Sequence, residues 1–405
     1  MTETTPLVYR YRWIVLLVYM LVSAFNQLLW ITYAPITSSA TMFYNVSDLS
    51  IGMLSLSFMA AYLVVAIPAS WLIDTHGFRI AVLVGAALTG IFGLARGLVG
   101  PNYPLALAAQ IGIAVGQPFI LNALTKVAVR WFPLQERATA SGLGSLAIYA
   151  GILVGLVVTP FVDQQVGLST TLLIYGAGAL LAALAFVAFA RERPPSPPGL
   201  HEVEERASMG EGLKLVVRKQ DYLLLMLIFF IGLGIFNSVT TWIEDILRPR
   251  GFSSELAGIA GGLMILAGVV GAVVLPALSD HIHRRVPFII LAVAGATLGL
   301  AGITFATGEG LLLLSAGILG FFLLSSGPIG FQYGAEIARP TSEGTSTGLL
   351  LLMGQVSGIA FIMGMDSLRD PITGAMTLPL IALMVLMVVG LLAATRLHES
   401  KLIGG

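Results

Sequence analysis

The chain has 405 residues, 57% hydrophobic and 10% charged, with zero formal net charge and a mean hydropathy of +0.92. A soluble domain carries about 25% charged residues, so this chain cannot cover a globular surface with polar groups and reads as a polytopic membrane protein. Its balanced charge leaves no bulk basic signature for nucleic acid, and without cysteine it forms neither disulfides nor thiolate metal sites and uses no cysteine nucleophile.

A spanning helix needs about 20 mostly apolar residues, and lipid does not tolerate irregular backbone. The N-terminal MTETTPLVYRYRW leads straight into an apolar run of that length, with no short h-region or cleavage site, so no signal peptide is expected. The first half predicts spans at Trp13–Ile36, Ser50–Ile73, Ile80–Val99, Tyr103–Val129, Ala138–Phe161 and Thr170–Ala190. A polar interval follows from Arg191 to Asp221, first Pro-rich, then acidic, then basic. It reads as a linker between bundles 1–190 and 222–405, with one short amphipathic helix near Glu211–Lys219 on the membrane surface. The second half predicts spans at Tyr222–Leu247, Leu256–Leu278, Val286–Thr307, Leu311–Ala338, Thr345–Met365 and Thr377–Ala394. The expected fold class is an all-α membrane protein of twelve transmembrane helices in two pseudo-symmetric six-helix bundles.

Lys and Arg in the loops set orientation. The side holding both ends and the central interval carries Arg10, Arg12, Arg79, Lys126, Arg130, Arg137, Arg284, Arg285, Arg339, Arg396 and Lys401, besides the interval's own basic residues. The other side carries Arg96, Arg248, Arg250 and Arg369. Both termini are therefore expected in the cytoplasm, with the protein in the plasma (cytoplasmic/inner) membrane.

The halves repeat. LIDTHGFR after the second span and LSDHIHRR after the eighth place Asp74 and Arg79, then Asp280 and Arg285, at the same spacing, 206 residues apart. A twelve-helix chain with parallel repeats and such a turn in each half resembles the major facilitator superfamily. That superfamily's turn reads G-x-x-x-D-R-x-G-R-[RK]; here Ser70 and Thr75 depart from it while Asp74, Gly77 and Arg79 remain. One reading is a solvated turn. The other is a gate, in which Asp74 pairs with or caps a neighbouring helix end and Arg79 holds the turn.

No enzyme motif is present: no G-x-S-x-G, H-E-x-x-H or Walker loop, and no carboxylate–histidine set within a span. The expectation is a non-enzyme with no cofactor and no metal site. His76, His281 and His283 fall in turns, His201 and His398 in the linker and tail. Gly151 and Gly155 read as close helix packing. Ionisable residues inside spans are functional candidates by default, but Lys126, Glu244, Asp245, Glu336 and Asp366 all lie near helix ends. This argues for transport uncoupled from protons. Glu244 and Asp245 read as a hydrated helix end, the alternative being attraction of a cation to the outer mouth.

Aromatic and amide groups occupy mid-depth. Asn26, Trp30 and Tyr33 share a stripe of the first span, with Gln27 beside them. The stripe lines a cavity or bonds neighbouring helices. Gln110 and Gln117 share a face of the fourth span, Phe236 and Asn237 stand opposite Trp30 and Ile31 by the repeat offset, and Gln355 sits inside the eleventh. Trp30 with a second aromatic could enclose a cation, and the glutamines could bond a hydroxyl or amine.

Residues 330–358, GFQYGAEIARPTSEGTSTGLLLLMGQVSG, resemble the feline leukaemia virus subgroup C receptor family of haem and choline/ethanolamine transporters. Further matches are N-x-x-x-W-I-x-Y at Asn26, Trp30, Ile31 and Tyr33; Tyr62, Pro68 and Trp71; Gln110, Gln117, Trp131 and Phe132; and Phe236, Ser238, Val239 and Thr241. The resemblance covers nearly the whole chain. It implies a cavity lined by the first-helix Trp (Trp30), the fourth- and eleventh-helix glutamines (Gln117, Gln355) and a seventh-helix Tyr, for which this chain has Asn237. The expected function is alternating-access transport of a small organic cation such as choline or ethanolamine by a monomer in the lipid bilayer. Haem or another organic solute, possibly coupled to protons, is the competing cargo, and a non-transporting receptor the competing class. If the charge partition holds, reporter tags fused to the two ends both report the cytoplasm; an external C-terminus would mean an odd number of spans.

Overall fold

The computed structural model describes residues 9–196, 216, 218–339 and 343–400. Among these, twelve helical stretches are long and apolar enough to cross a membrane. In order they are Arg12–Tyr44, Asp48–His76, Phe78–Leu98, Tyr103–Trp131, Thr139–Val166, Leu168–Phe189, Gln220–Thr241, Ser254–Ile282, Val286–Phe305, Glu309–Ala338, Ser346–Ser367 and Thr377–Ala394. The all-helical, twelve-span fold expected from hydropathy is the fold observed. The chain divides into two compact units, Met1–Val203 and Glu204–Gly405, with six spans in each. Most of the stretch on which the surface helix near Glu211–Lys219 was expected lies outside the described residues.

The repeat reaches down to the helix caps. The second span starts at Ser47, whose hydroxyl accepts the Ser50 N–H at 3.3 Å, with Asp48 in the first turn. The eighth starts at Ser253, 206 residues on, whose hydroxyl accepts the Leu256 N–H at 3.3 Å, with Glu255 in the first turn. Both caps satisfy a donor that the helix start leaves over, and both acids complement the dipole.

Three spans are interrupted where hydropathy alone predicts continuous helix. The first ends as an α-helix at Ile31, passes through a 3-10 turn at Ala34–Ile36 and resumes over Thr37–Tyr44. Pro35 has no N–H to offer the Ile31 carbonyl, which removes the bond that would continue the helix. The fourth breaks at Asn122–Ala123, shortly after Pro118. The seventh ends at Thr241, turns at Trp242 and adds a short helix over Ile243–Leu247.

Small residues let the helices of each unit approach closely. A Cβ on Gly151 would lie 2.1 Å from the Ala24 carbonyl oxygen, and one on Gly155 2.4 Å from Ile31, so the fifth span presses its glycine face on the first. In the second unit, a Cβ on Gly271 would lie 2.0 Å from the Phe321 carbonyl oxygen and one on Gly320 1.8 Å from that of Met264, which joins the eighth span to the tenth. Gly151→Val should therefore overpack a seam and lower stability by about 1–3 kcal/mol, read as a fall in melting temperature in detergent. Gly142→Ala, on the same helix with nothing within 4 Å of its Cβ, should be neutral or slightly stabilising.

Candidate functional site

In the first unit the break after Ile31 organises the polar residues. Trp30 is 6% exposed, and its indole N–H donates to the Ser55 carbonyl of the second span at 3.3 Å. Asn26 is fully buried; its amide donates to Thr89 Oγ1 of the third span at 3.0 Å and accepts from Gln27 Nε2 at 3.2 Å. Tyr33 is also fully buried and shares a 3.0 Å hydrogen bond with the Tyr44 hydroxyl. The stripe predicted to line a cavity is thus divided. Asn26 and Tyr33 direct their polar atoms to bonds within the bundle, while Trp30 is held by its N–H alone. The fourth-span glutamines divide in the same way. Gln110 is buried and bonded to Arg96, with its amide also donating to the Leu54 carbonyl at 3.3 Å. The Gln117 amide, 7% exposed, has no hydrogen-bond partner among the described residues.

In the second unit, Asn237 Nδ2 donates to the Gly354 carbonyl of the eleventh span at 3.1 Å. It therefore ties the seventh helix to the peptide immediately before Gln355. Phe236 and Gln355 are half-buried, and the Gln355 amide has no hydrogen-bond partner among the described residues. Further along the same seam the Trp242 indole donates to the Ile362 carbonyl at 3.1 Å. Glu244 and Asp245 are not a hydrated helix end. They are 1% and 0% exposed, Glu244 accepts from Ser254 Oγ at 2.8 Å, and Asp245 pairs with Arg248 and with Arg369, each at 3.0 Å. Sequence position near a helix end says nothing about what folds over that end.

The duplicated turns carry ion pairs of different design. Asp74 pairs with Lys126 of the fourth span at 3.1 Å. Arg79 takes part through its backbone, its N–H donating to Glu192 Oε2 at 2.8 Å. Gly77 at φ +89° makes that approach possible, because a Cβ there would sit 2.3 Å from the Glu192 carboxylate. In the second unit the Arg285 side chain bonds Asp280 and reaches Glu336 at 3.3 Å, while Glu399 accepts the N–H groups of Arg285 and Val286, both at 3.1 Å. In each unit, then, an acid beyond the sixth helix caps the start of the third. Negative charge at a helix N-terminus is favourable.

Residues 15–362 match the Major Facilitator Superfamily. The chain belongs to the major facilitator superfamily. It is 31% identical over 386 residues to Solute carrier family 49 member A3 of Xenopus tropicalis, covering 90% of this chain and 79% of that protein. It is 30% identical over 386 residues to the choline/ethanolamine transporter FLVCR1 of Mus musculus, covering 87% of this chain and 69% of that protein. Its fold is similar to that of the D-xylose-proton symporter, with a TM-score of 0.77 at 16% identity over 96% of this chain and 99% of that one. This superfamily member is therefore a multi-pass membrane transporter acting on a small-molecule substrate within the bilayer.

Three buried or capping residues escaped sequence reasoning. Arg96 counts as an outer-loop charge in the Lys/Arg tally, yet it lies inside the third helix, fully buried. Glu192 and Glu399 sit in the linker and tail, where an acid looks solvated. The readable signal was their repetition, one residue off the 206 spacing, just past the last apolar turn of each half. Glu192→Ala and Glu399→Ala should each lower stability by about 0.5–2 kcal/mol. The two caps share no partner, so the double variant's loss should equal the sum of the singles in thermal melts.

Proposed function

We propose that this transporter moves a small organic cation or amine of the choline/ethanolamine class by alternating access, as a facilitator uncoupled from protons. The observation that carries the reading is the pair of amides, Gln117 in one unit and Gln355 in the other, that have no hydrogen-bond partner among the described residues. Gln117 is buried as a residue and Gln355 half-buried, yet neither amide is spent on a bond within its bundle, which leaves both open to a hydroxyl or amine. Trp30 supplies the aromatic face, worth roughly 0.5–2 kcal/mol to a cation, with its indole N–H tethered to the Ser55 carbonyl. Phe236 is the aromatic of the second unit, and Asn237 positions Gln355. Asn26 and Tyr33 support this site through the helix bonds they make. The relatives named as choline/ethanolamine transporters support the substrate class.

The uncoupled mechanism rests on where charge lies. Within the twelve spans, every described Asp, Glu, His and Lys falls within about two turns of a helix end. Asp74 with Arg79 and Asp280 with Arg285 bias the conformational equilibrium without touching substrate. The protein works as a monomer in the plasma (cytoplasmic/inner) membrane with both termini in the cytoplasm, performs no covalent chemistry and binds no nucleic acid.

In proteoliposomes, labelled choline or ethanolamine should enter down its own gradient and respond hardly to an imposed pH gradient. Concentrative uptake driven by pH alone would refute the uncoupled mechanism. Trp30→Ala should weaken binding about tenfold while Trp30→Phe keeps part of it. Gln355→Ala should weaken ethanolamine far more than tetramethylammonium, which has no group for the amide to bond. Wild-type affinity in Trp30→Ala would make Trp30 a packing residue.

A further inference from the structure

Arg96 is a fully buried guanidinium that no carboxylate pairs among the described residues. Burying an uncompensated charge is expensive, so what surrounds it matters. Its Nη1 donates to the Leu29 carbonyl at 2.9 Å and to Gln110 Oε1 at 2.6 Å, and its Cζ lies 5.1 Å from the centre of the Tyr33 ring. Nε and Nη2 have no partner. All of these partners belong to the first unit, and they straddle the break in the first helix. Leu29 lies in the last turn before the break, Tyr33 just beyond it. The last carbonyls of a helix have no intrahelical partner and carry the negative end of its dipole. In that turn Thr32 Oγ1 takes the Leu28 carbonyl at 2.7 Å and Arg96 takes that of Leu29.

Bonds to the second helix close the loop. Gln110, oriented by Arg96, donates to the Leu54 carbonyl at 3.3 Å, and Trp30 donates to the next carbonyl, Ser55, at 3.3 Å. Two consecutive residues of the first helix, Leu29 and Trp30, are thereby linked to two consecutive carbonyls of the second, one pair through Arg96 and Gln110 and the other through the indole itself. A tryptophan attached by its N–H alone can still swing about that bond. One whose own turn is pinned by the neighbouring carbonyl cannot.

We propose that Arg96 is a positioning residue for Trp30: it caps the broken first helix at Leu29 and, through Gln110, fixes the indole against the second helix. The consequence for substrate rests on the reading of Trp30 as a substrate contact; the geometry does not. The charge is needed because a single cation meets a carbonyl at a helix end, an amide oxygen and a ring face at once. A neutral side chain of similar length meets at most one of them with comparable strength.

The chain has five tryptophans, so full-length protein grown with 5-fluorotryptophan gives five fluorine resonances, assignable by single Trp→Phe variants. Arg96→Met should move or broaden the Trp30 resonance and leave those of Trp13, Trp71, Trp131 and Trp242 in place. Arg96→Lys, which keeps a cation but loses the planar fork of the guanidinium, should restore part of the wild-type signal. Gln110→Met, which removes the second link, should displace the same single resonance and decides the matter if Arg96→Met fails to fold. A folded Arg96→Met or Gln110→Met protein whose Trp30 resonance coincides with the wild type, or one in which all five move together, overturns the proposal. Choline affinity, measured on the same samples by calorimetry, should fall roughly tenfold in Arg96→Met. If Trp30 moves as stated but wild-type protein binds neither choline nor ethanolamine, the substrate assignment fails and the positioning role stands.

Discussion

Inside a bilayer, a backbone carbonyl released by a helix break finds no water, and each one left unsatisfied costs several kcal/mol. That constraint explains the polar residues of this chain better than any list of motifs. The first helix breaks at Ile31, and in its last turn Thr32 takes the Leu28 carbonyl and Arg96 that of Leu29. The fourth breaks at Asn122, whose side chain accepts from the Tyr62 hydroxyl at 2.8 Å and donates to Ser70 at 3.2 Å, holding the break against the second helix. The seventh breaks at Trp242, whose indole is fastened to the eleventh helix. Each break is stitched sideways to a neighbouring helix, so a local loss of helix becomes a fixed bend rather than a loose segment.

The stitching also shows what the internal repeat preserves. The Ser47 and Ser253 caps and the two acidic caps on the third helix of each unit recur at or within one residue of the 206 spacing. The buried polar set does not recur. At that offset Asn26 corresponds to Gly232, Thr89 to Gly295, Arg96 to Gly302, Gln110 to Ala316 and Gln117 to Leu323. Gly302 takes the place of a guanidinium with a packing contact, where a Cβ would meet Ser315 Oγ at 2.0 Å. Duplication retained what starts and spaces helices, while the first unit holds polar chemistry that the second answers with close packing.

Hydropathy made the twelve spans legible because the hydrocarbon thickness imposes a length and forbids charge over it. The turns with Asp74 and Asp280 were legible because they repeat. What stayed hidden was partnership. Asn26 and Gln117 look alike in sequence, as amides at mid-span, yet one is bonded on both sides and the other on none. Only the neighbouring helix, here Thr89 in the third, separates a packing bond from an available one. Arg96 misled for the related reason that loop counting assigns a charge to a side of the membrane without asking whether it is buried. The helix breaks were half legible: Pro35 and Pro118 announced a fault, but the bonds that tie each break to a neighbouring helix come from residues far away in sequence, such as Arg96, Tyr62 and Ser70.

Satisfied and unsatisfied groups are therefore sorted by position, and the sorting has mechanical meaning. Asn26, Tyr33, Arg96, Gln110, Asn122, Asn237 and Trp242 each make these hydrogen bonds within their own unit. Among the described residues, the Gln117 and Gln355 amides, one in each unit, make no such bond. Pairing either inside its own bundle would remove the cost of leaving it open. Under the proposed function it would also remove a gain that a solute could offer, because a ligand shifts a conformational equilibrium only by its differential affinity for the two states. An amide already bonded at home has little to gain from substrate, so under the proposed function the unpaired ones are where binding energy can be converted into motion.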